Sequence, residues 1–262
     1  MAQQPEYTSI PFPPERQVIV DAGRNAHRRH LTHALIEMDV TAARRTMRET
    51  KARTGESLSF TAFLIACLAR AIDENKHVHA YRNWRNQLVL FEQVDVATLI
   101  ETEVDHVALP HIIRAANRKT FREIHQEIRT IQAAPAKSEQ KSRLIGIAPY
   151  VPAFIRGIFY WALFKNPHWL KKNAGTVVVT SVGMFGKGSG WGIGFLPMHT
   201  LGLTVGGMAE KPGVVEGRIE IREYLCMTVS VDHDIIDGAP QVRFIRRLKE
   251  LIESGYGLDY RQ

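Results

Sequence analysis

The densest chemistry in this chain stands in "MTVSVDHDIIDGAPQVRF", Met227 to Phe244, where one histidine lies among three aspartates and a glycine. Strand-like alternation through "CMTVSVDH" puts His233 on the face of Met227, Val229 and Val231, so the spacing predicts an imidazole pointing into a largely apolar interior. Four residues later Asp237 and Gly238 open a helix-like run. A neutral imidazole placed there is fitted to take a proton from a weak acid. The competing reading is a hydrogen-bonded core histidine followed by an aspartate that caps the helix. An H-x-x-x-D-G pattern is loose by itself and needs support from elsewhere in the chain.

Three other clusters carry less. In "GMFGKGSGWGIG", Gly183 to Gly194, Lys187 is followed by glycine rather than Ser or Thr, and no G-x-G-x-x-G spacing occurs, so a tight loop between strands is expected instead of a phosphate cradle. His27, His30 and His33 recur beside Arg24, Arg28 and Arg29 without a companion carboxylate or cysteine; this predicts a solvated surface and no metal site. Tryptophans near Lys171 and Lys172 sit in no nucleic-acid-binding module, and no nucleic-acid partner is expected.

Placing these residues is the task of 262 residues, 45% of them hydrophobic, enough for a sizeable buried core. Thirty-four basic against 27 acidic residues give +7, spread along the chain, which suits anionic small molecules as well as nucleic acid. Cys67 and Cys226 each stand alone, as expected in a reducing, cytoplasmic compartment. Residues 1–16 read as a flexible leader without signal-peptide character. The most apolar stretch, Leu144 to Phe164, is broken by Arg156 and two prolines and falls short of a membrane span.

Along the chain, "QVIVDA", "HLTHALIEMDV", "QLVLFEQVDVATLI", "HVALPHII" and "TVVVTS" read as strands, with others near 198–207, 216–222 and 223–232. "TAARRTMRETKART" reads as a polar surface helix. "SFTAFLIACLARAIDEN" follows Ser59, a plausible N-cap, and is apolar on nearly every side, which predicts a buried helix. Thr120 and Glu123 form a capping box before "FREIHQEIRTI". The last helix is expected to turn Val242, Ile245, Leu248 and Ile252 inward. The alternation is too irregular for a doubly wound sheet, so a single mixed α/β domain is predicted.

The C-terminal third resembles the catalytic domain of dihydrolipoamide acyltransferases of 2-oxoacid dehydrogenase complexes and, more distantly, chloramphenicol acetyltransferase. "SVDHDIIDGAPQVRFIRRLKELIE" looks like the family's active-site strand, turn and last helix, and "TVVVTSVGMFG" like its preceding strand and loop. "LTHALIEMDVTAARRTMRE" and "SLSFTAFLIACLARAI" match the earlier part in order and spacing, so the likeness covers most of residues 17–255. It implies a chloramphenicol acetyltransferase-like two-layer mixed sheet with helices, meeting as a homotrimer whose site lies between subunits. It also implies a coenzyme A-dependent acyltransferase that needs no metal. His233 would be the general base toward the coenzyme A thiol, Thr180 the oxyanion hydroxyl, and Asp237 the aspartate that fixes the turn, paired with one of Arg24, Arg28 or Arg29.

Residues 17–262 then form one catalytic domain with an apolar insertion at about 143–174, and no lipoyl or peripheral-subunit-binding domain is expected. A lipoyl-bearing acceptor would be a separate carrier protein. "MHTLG" replaces the family's acyl-channel segment, which keeps two alternatives open: a structural or regulatory core subunit with weak turnover, and transfer to a small hydroxylated molecule. The aromatic segment 144–170 must cover the protein's own core, a neighbouring subunit or a lipid surface; a subunit contact beside the channel is the expected cover.

Overall fold

The structure is a computed structural model that describes residues 7–13, 16–27, 29–101, 108–134, 151–181 and 188–258. Its centre is the helix α3 (Phe60–Glu74), preceded by α2 (Thr41–Thr54). The Ser59 hydroxyl accepts from the Ala62 amide and caps α3, and ten of the helix's fifteen residues are buried, as its all-round apolar sequence predicts. Beside it lies α4 (Phe121–Ala133), opened by the Thr120–Glu123 capping box and turning Phe121, Ile124, Ile128 and Ile131 inward. The last helix, α7 (Gly238–Glu253), buries Phe244, Leu248 and Ile252, while Val242 is exposed rather than inward. Helical phase explains this: the buried stripe runs through Phe244, so Val242 falls on the opposite face.

These helices pack on one face of a six-stranded mixed sheet in the order β1-β8-β7-β6-β4-β5. Its strands are β1 (Leu31–Asp39), β4 (Val96–Glu101), β5 (Ala108–Ile113), β6 (Val177–Ser181), β7 (Leu201–Val215) and β8 (Arg218–Asp232). A short hairpin, β2 (Tyr81–Arg82) with β3 (Leu88–Val89), stands apart. The core lies between sheet and helices: Leu201, Leu203, Met227, Val229 and Val231 point toward α3 and α7. Pairing is antiparallel except β6 with its neighbours β4 and β7. The run 216–232, read as two strands, is a single strand that turns back from β7 at Glu216–Gly217, both with positive φ.

The opposite face of the sheet is polar and glycine-rich, and residues 188–200 cross it without regular structure. Gly206 and Gly207 permit the crossing, because a Cβ on either would stand 2.3 Å or 2.2 Å from the carbonyl oxygens of Gly190 and Gly188. Beyond that edge lie α5 (Ala153–Lys165) and α6 (Pro167–Ala174), which share a second small core with the β2–β3 hairpin through Tyr81, Phe91, Tyr160, Leu163 and Leu170. Residues 16–26, read partly as a strand, form helix α1 (Arg16–Ala26). Tertiary packing overrides their β-branched run: Asp21 is buried against α5, where it accepts from Arg156 Nε at 2.6 Å. Part of the glycine cluster, 183–187, and residues 143–150 of the apolar insertion lie outside the described residues.

Candidate active site

His233 begins the turn that follows β8, and it is exposed. The expectation of an inward imidazole fails because the strand ends at Asp232, so alternation stops one residue early. What the fold secures is the backbone of the turn. The His233 amide donates to the His30 carbonyl at 2.8 Å, and the amides of Ile235 and Ile236 both donate to the Asp232 carbonyl. The Asp232 carboxylate, itself buried, accepts from the Asp234 amide at 3.2 Å and faces Arg29 Nη1 at 3.8 Å. Arg29 also donates to the carbonyls of Met198 and His199, at 2.9 and 2.7 Å, and lies over the Phe164 ring. His30 Nδ1 is 2.8 Å from Asp234 Oδ1, and this hydrogen bond raises the imidazole pKa above its ordinary value.

Asp237 is the N-cap residue of α7, but its side chain makes no capping hydrogen bond. Nor does it meet the two arginines that are described: Arg24 stands 3.6 Å from Asp21, and Arg29 is engaged with Asp232. Arg28 lies outside the described residues. Sequence reasoning therefore missed Asp232 and His30 as the groups that hold the turn. Their partners are some two hundred residues away in sequence, so no local pattern signals them.

Thr180 is half-buried on β6. It pairs in register with Thr204 of β7, which pairs with Thr228 of β8, so three hydroxyls form one row across the sheet. The Thr204 hydroxyl accepts from the Gly194 amide at 3.1 Å, whereas the Thr180 hydroxyl makes no hydrogen bond among the described residues. A Cβ on Gly194 would stand 2.4 Å from Thr204 Oγ1 and 3.1 Å from Thr180 Cγ2. Glycine here lets the crossing segment press onto the threonine row.

The row also fixes how far Thr180 is from His233 within one chain. Two interstrand steps of about 4.8 Å and five residues of about 3.3 Å along β8 leave them roughly 19 Å apart. Groups that act on one reacting centre must stand about 3–3.5 Å from it. One copy of the chain therefore does not bring the histidine and the hydroxyl together. His199, in the "MHTLG" segment, is buried; its Nε2 donates to the Ala174 carbonyl, and burial lowers its pKa to about 4. That segment anchors Arg29 and α6.

A mixed sheet covered by helices, with an H-x-x-x-D-G turn at the end of a central strand, is the architecture of the chloramphenicol acetyltransferase-like fold. A chloramphenicol acetyltransferase superimposes with a TM-score of 0.52 at 15% identity, covering 89% of this chain and 94% of that one. Dihydrolipoamide acetyltransferase from Azotobacter vinelandii, studied for the roles of a serine, a histidine and an asparagine in its catalytic mechanism, superimposes with a TM-score of 0.71 at 17% identity. That alignment covers 98% of this chain and 96% of the other. The chain belongs to the family of 2-oxoacid dehydrogenases acyltransferases (catalytic domain), which it matches over residues 4–143 and 171–258. It is 25% identical over 226 residues to the lipoamide acyltransferase component of the branched-chain alpha-keto acid dehydrogenase complex of Bacillus subtilis (strain 168), covering 84% of this chain and 46% of that protein. The chain thus spans about half the length of the curated relative it matches.

Proposed function

We propose that the protein is a coenzyme A-dependent acyltransferase acting between the coenzyme A thiol and a dihydrolipoyl-type thiol, with its site shared between copies of the chain in a homotrimer. The observation that carries this reading is the pinned turn: three consecutive residues, Asp232 to Asp234, are tied to Arg29 and His30, while the His233 ring is left accessible to a substrate. His233 and Asp237 have the spacing of the histidine and asparagine under study in the Azotobacter protein, and the serine there precedes the histidine by nearly the stretch that separates Thr180 from His233. The separation within one chain supports a neighbouring copy as the source of the hydroxyl.

In the proposed reaction, neutral His233 takes the proton of the coenzyme A thiol, whose pKa of about 8.5 keeps it mostly protonated at neutral pH. The thiolate attacks the acyl-lipoyl thioester carbon, and the Thr180 hydroxyl of the adjacent copy donates to the resulting oxyanion. Collapse expels the dihydrolipoyl thiolate, which recovers the proton from the imidazolium. Acyl-coenzyme A and a free dihydrolipoyl group result. Asp232, facing Arg29, and His30, bound to Asp234, position the turn. The reaction would take place in a reducing compartment such as the cytoplasm, in keeping with the free, buried Cys67 and Cys226.

The test is coenzyme A release from acetyl-coenzyme A with free dihydrolipoamide. His233→Ala should fold and lose about 10²- to 10⁴-fold in rate. Mixing His233→Ala with Thr180→Ala chains should restore activity, because some interfaces then carry both native residues. A folded His233→Ala protein with native turnover would sink the reading and leave a structural core subunit.

A further inference from the structure

The shared-site reading leaves unexplained why the chain carries α5 at all, since the family match stops at residue 143 and resumes at 171. We propose that the outward face of α5 packs against the neighbouring copy of this chain, beside the His233 turn; this rests on the site being shared. The placement comes from a chain of contacts. Phe164, near the C-terminal end of α5, lies 5.6 Å from the Arg29 guanidinium, Arg29 faces the Asp232 carboxylate at 3.8 Å, and His233 follows directly. A second copy that brings its Thr180 to this histidine must approach alongside α5.

The face itself has the composition of an interface core. Phe154, Ile158 and Trp161 are 70%, 63% and 59% exposed, and their spacing of four and three residues sets them in one stripe, flanked by Ile155 and Phe159. The stripe is free of charge until Lys165 at its end. Aromatic enrichment with charge depletion marks the buried centre of protein–protein contacts. An interfacial lipid-binding helix needs the opposite, cations presented around its apolar face. Of the four lysines and arginines on α5 and α6, Arg156 is bound to Asp21 and Lys171 Nζ lies 2.6 Å from the buried Asp95 carboxylate, which leaves Lys165 at the end of the stripe and the exposed Lys172 on α6, too few to ring the apolar face. That decides for a second copy over an anionic membrane.

The experiment compares wild type with Ile158→Glu/Trp161→Glu, and with the milder Phe154→Ser, by sedimentation velocity and by the rescue of mixed His233→Ala and Thr180→Ala chains. All three substituted residues are exposed, so the monomer should fold. The wild type should be oligomeric, and the double glutamate variant should raise the dissociation constant about thirtyfold or more and suppress rescue when built into both chains. Phe154→Ser should shift it in the same direction. An oligomer and a rescue both undisturbed by the glutamates would overturn the α5 contact while leaving the shared site standing. A wild-type monomer that is fully active would overturn the shared site and the contact with it. Wild-type protein that pellets with phosphatidylglycerol vesicles, and no longer does so with the glutamates, would assign the face to lipid and overturn the proposal.

Discussion

Helices α3 and α5 have almost the same character in sequence and opposite surroundings in the fold. Both are apolar on nearly every side, and α3 is enclosed by the sheet, α4 and α7, whereas α5 buries only Tyr160 and Leu163 against its own chain. An all-round apolar helix states that something must cover it; it does not state what. For α3 the cover is encoded in the same domain. For α5 it is half encoded, by α1 and α6, and among the described residues the other half is left uncovered.

The contrast can be broken most severely at the centre of α3. Phe63→Ala removes a side chain with no exposure and should destabilise the monomer by about 3–5 kcal/mol, read by chemical denaturation. On the inner side of α5, Arg156→Leu takes the nearest cation from the Asp21 carboxylate, which keeps Gln17 and Arg24 and whose pKa is raised by burial but lowered on balance by its bonds to Arg156 and Gln17. Losing this charged hydrogen bond should cost about 1.5–3 kcal/mol. Amides of α5 should then exchange faster than those of α3.

Acid sharpens the difference between the two cores less strongly. Burial holds both His79, just after α3, and His199, beneath α6, at a pKa of about 4. The unfolded chain binds these protons near pH 6.5, so their stabilising contribution is complete above that pH and is lost as pH falls toward 4. The slope should reach about 1.4 kcal/mol per unit for each histidine. Replacing His199 by glutamine should remove one share of that slope in pH-dependent unfolding. Smallest of all, Ile158→Ala on the outward face of α5 should change monomer stability by no more than about 0.5 kcal/mol. A cost near that of Phe63→Ala would mean that α5 is covered within its own chain.

What could be read from sequence follows the range of the interaction that decides each feature. Ser59, Thr120 and Glu123 act within three residues, and their caps form as expected. Period-2 alternation placed Met227, Val229 and Val231 on the core face, then failed at His233, because a strand's end is set by its neighbours β1 and β7 rather than by its own residues. "QVIVDA" is a helix because Asp21 meets Arg156, 135 residues later. The pairing of Arg29 with Asp232 rather than Asp237 is of the same kind. The motif located the candidate site; the contacts that hold it are long-range and carry no periodic signal.

Among the described residues, the first strand of the sheet pairs only with the last one, Leu31 opposite Asp232 and Asp39 opposite Tyr224. At about 5–20 residues per second, a ribosome needs roughly 10–40 s to make β8 after it has finished β1. Until then β1 has no partner strand, and its amides and carbonyls are open to any other chain being made nearby. Arg29 and His30 wait with it, so the turn of His233 is among the last features to close, and a nascent chain halted before β8 carries the whole of α3 and α4 and the Thr180 strand but lacks the turn itself.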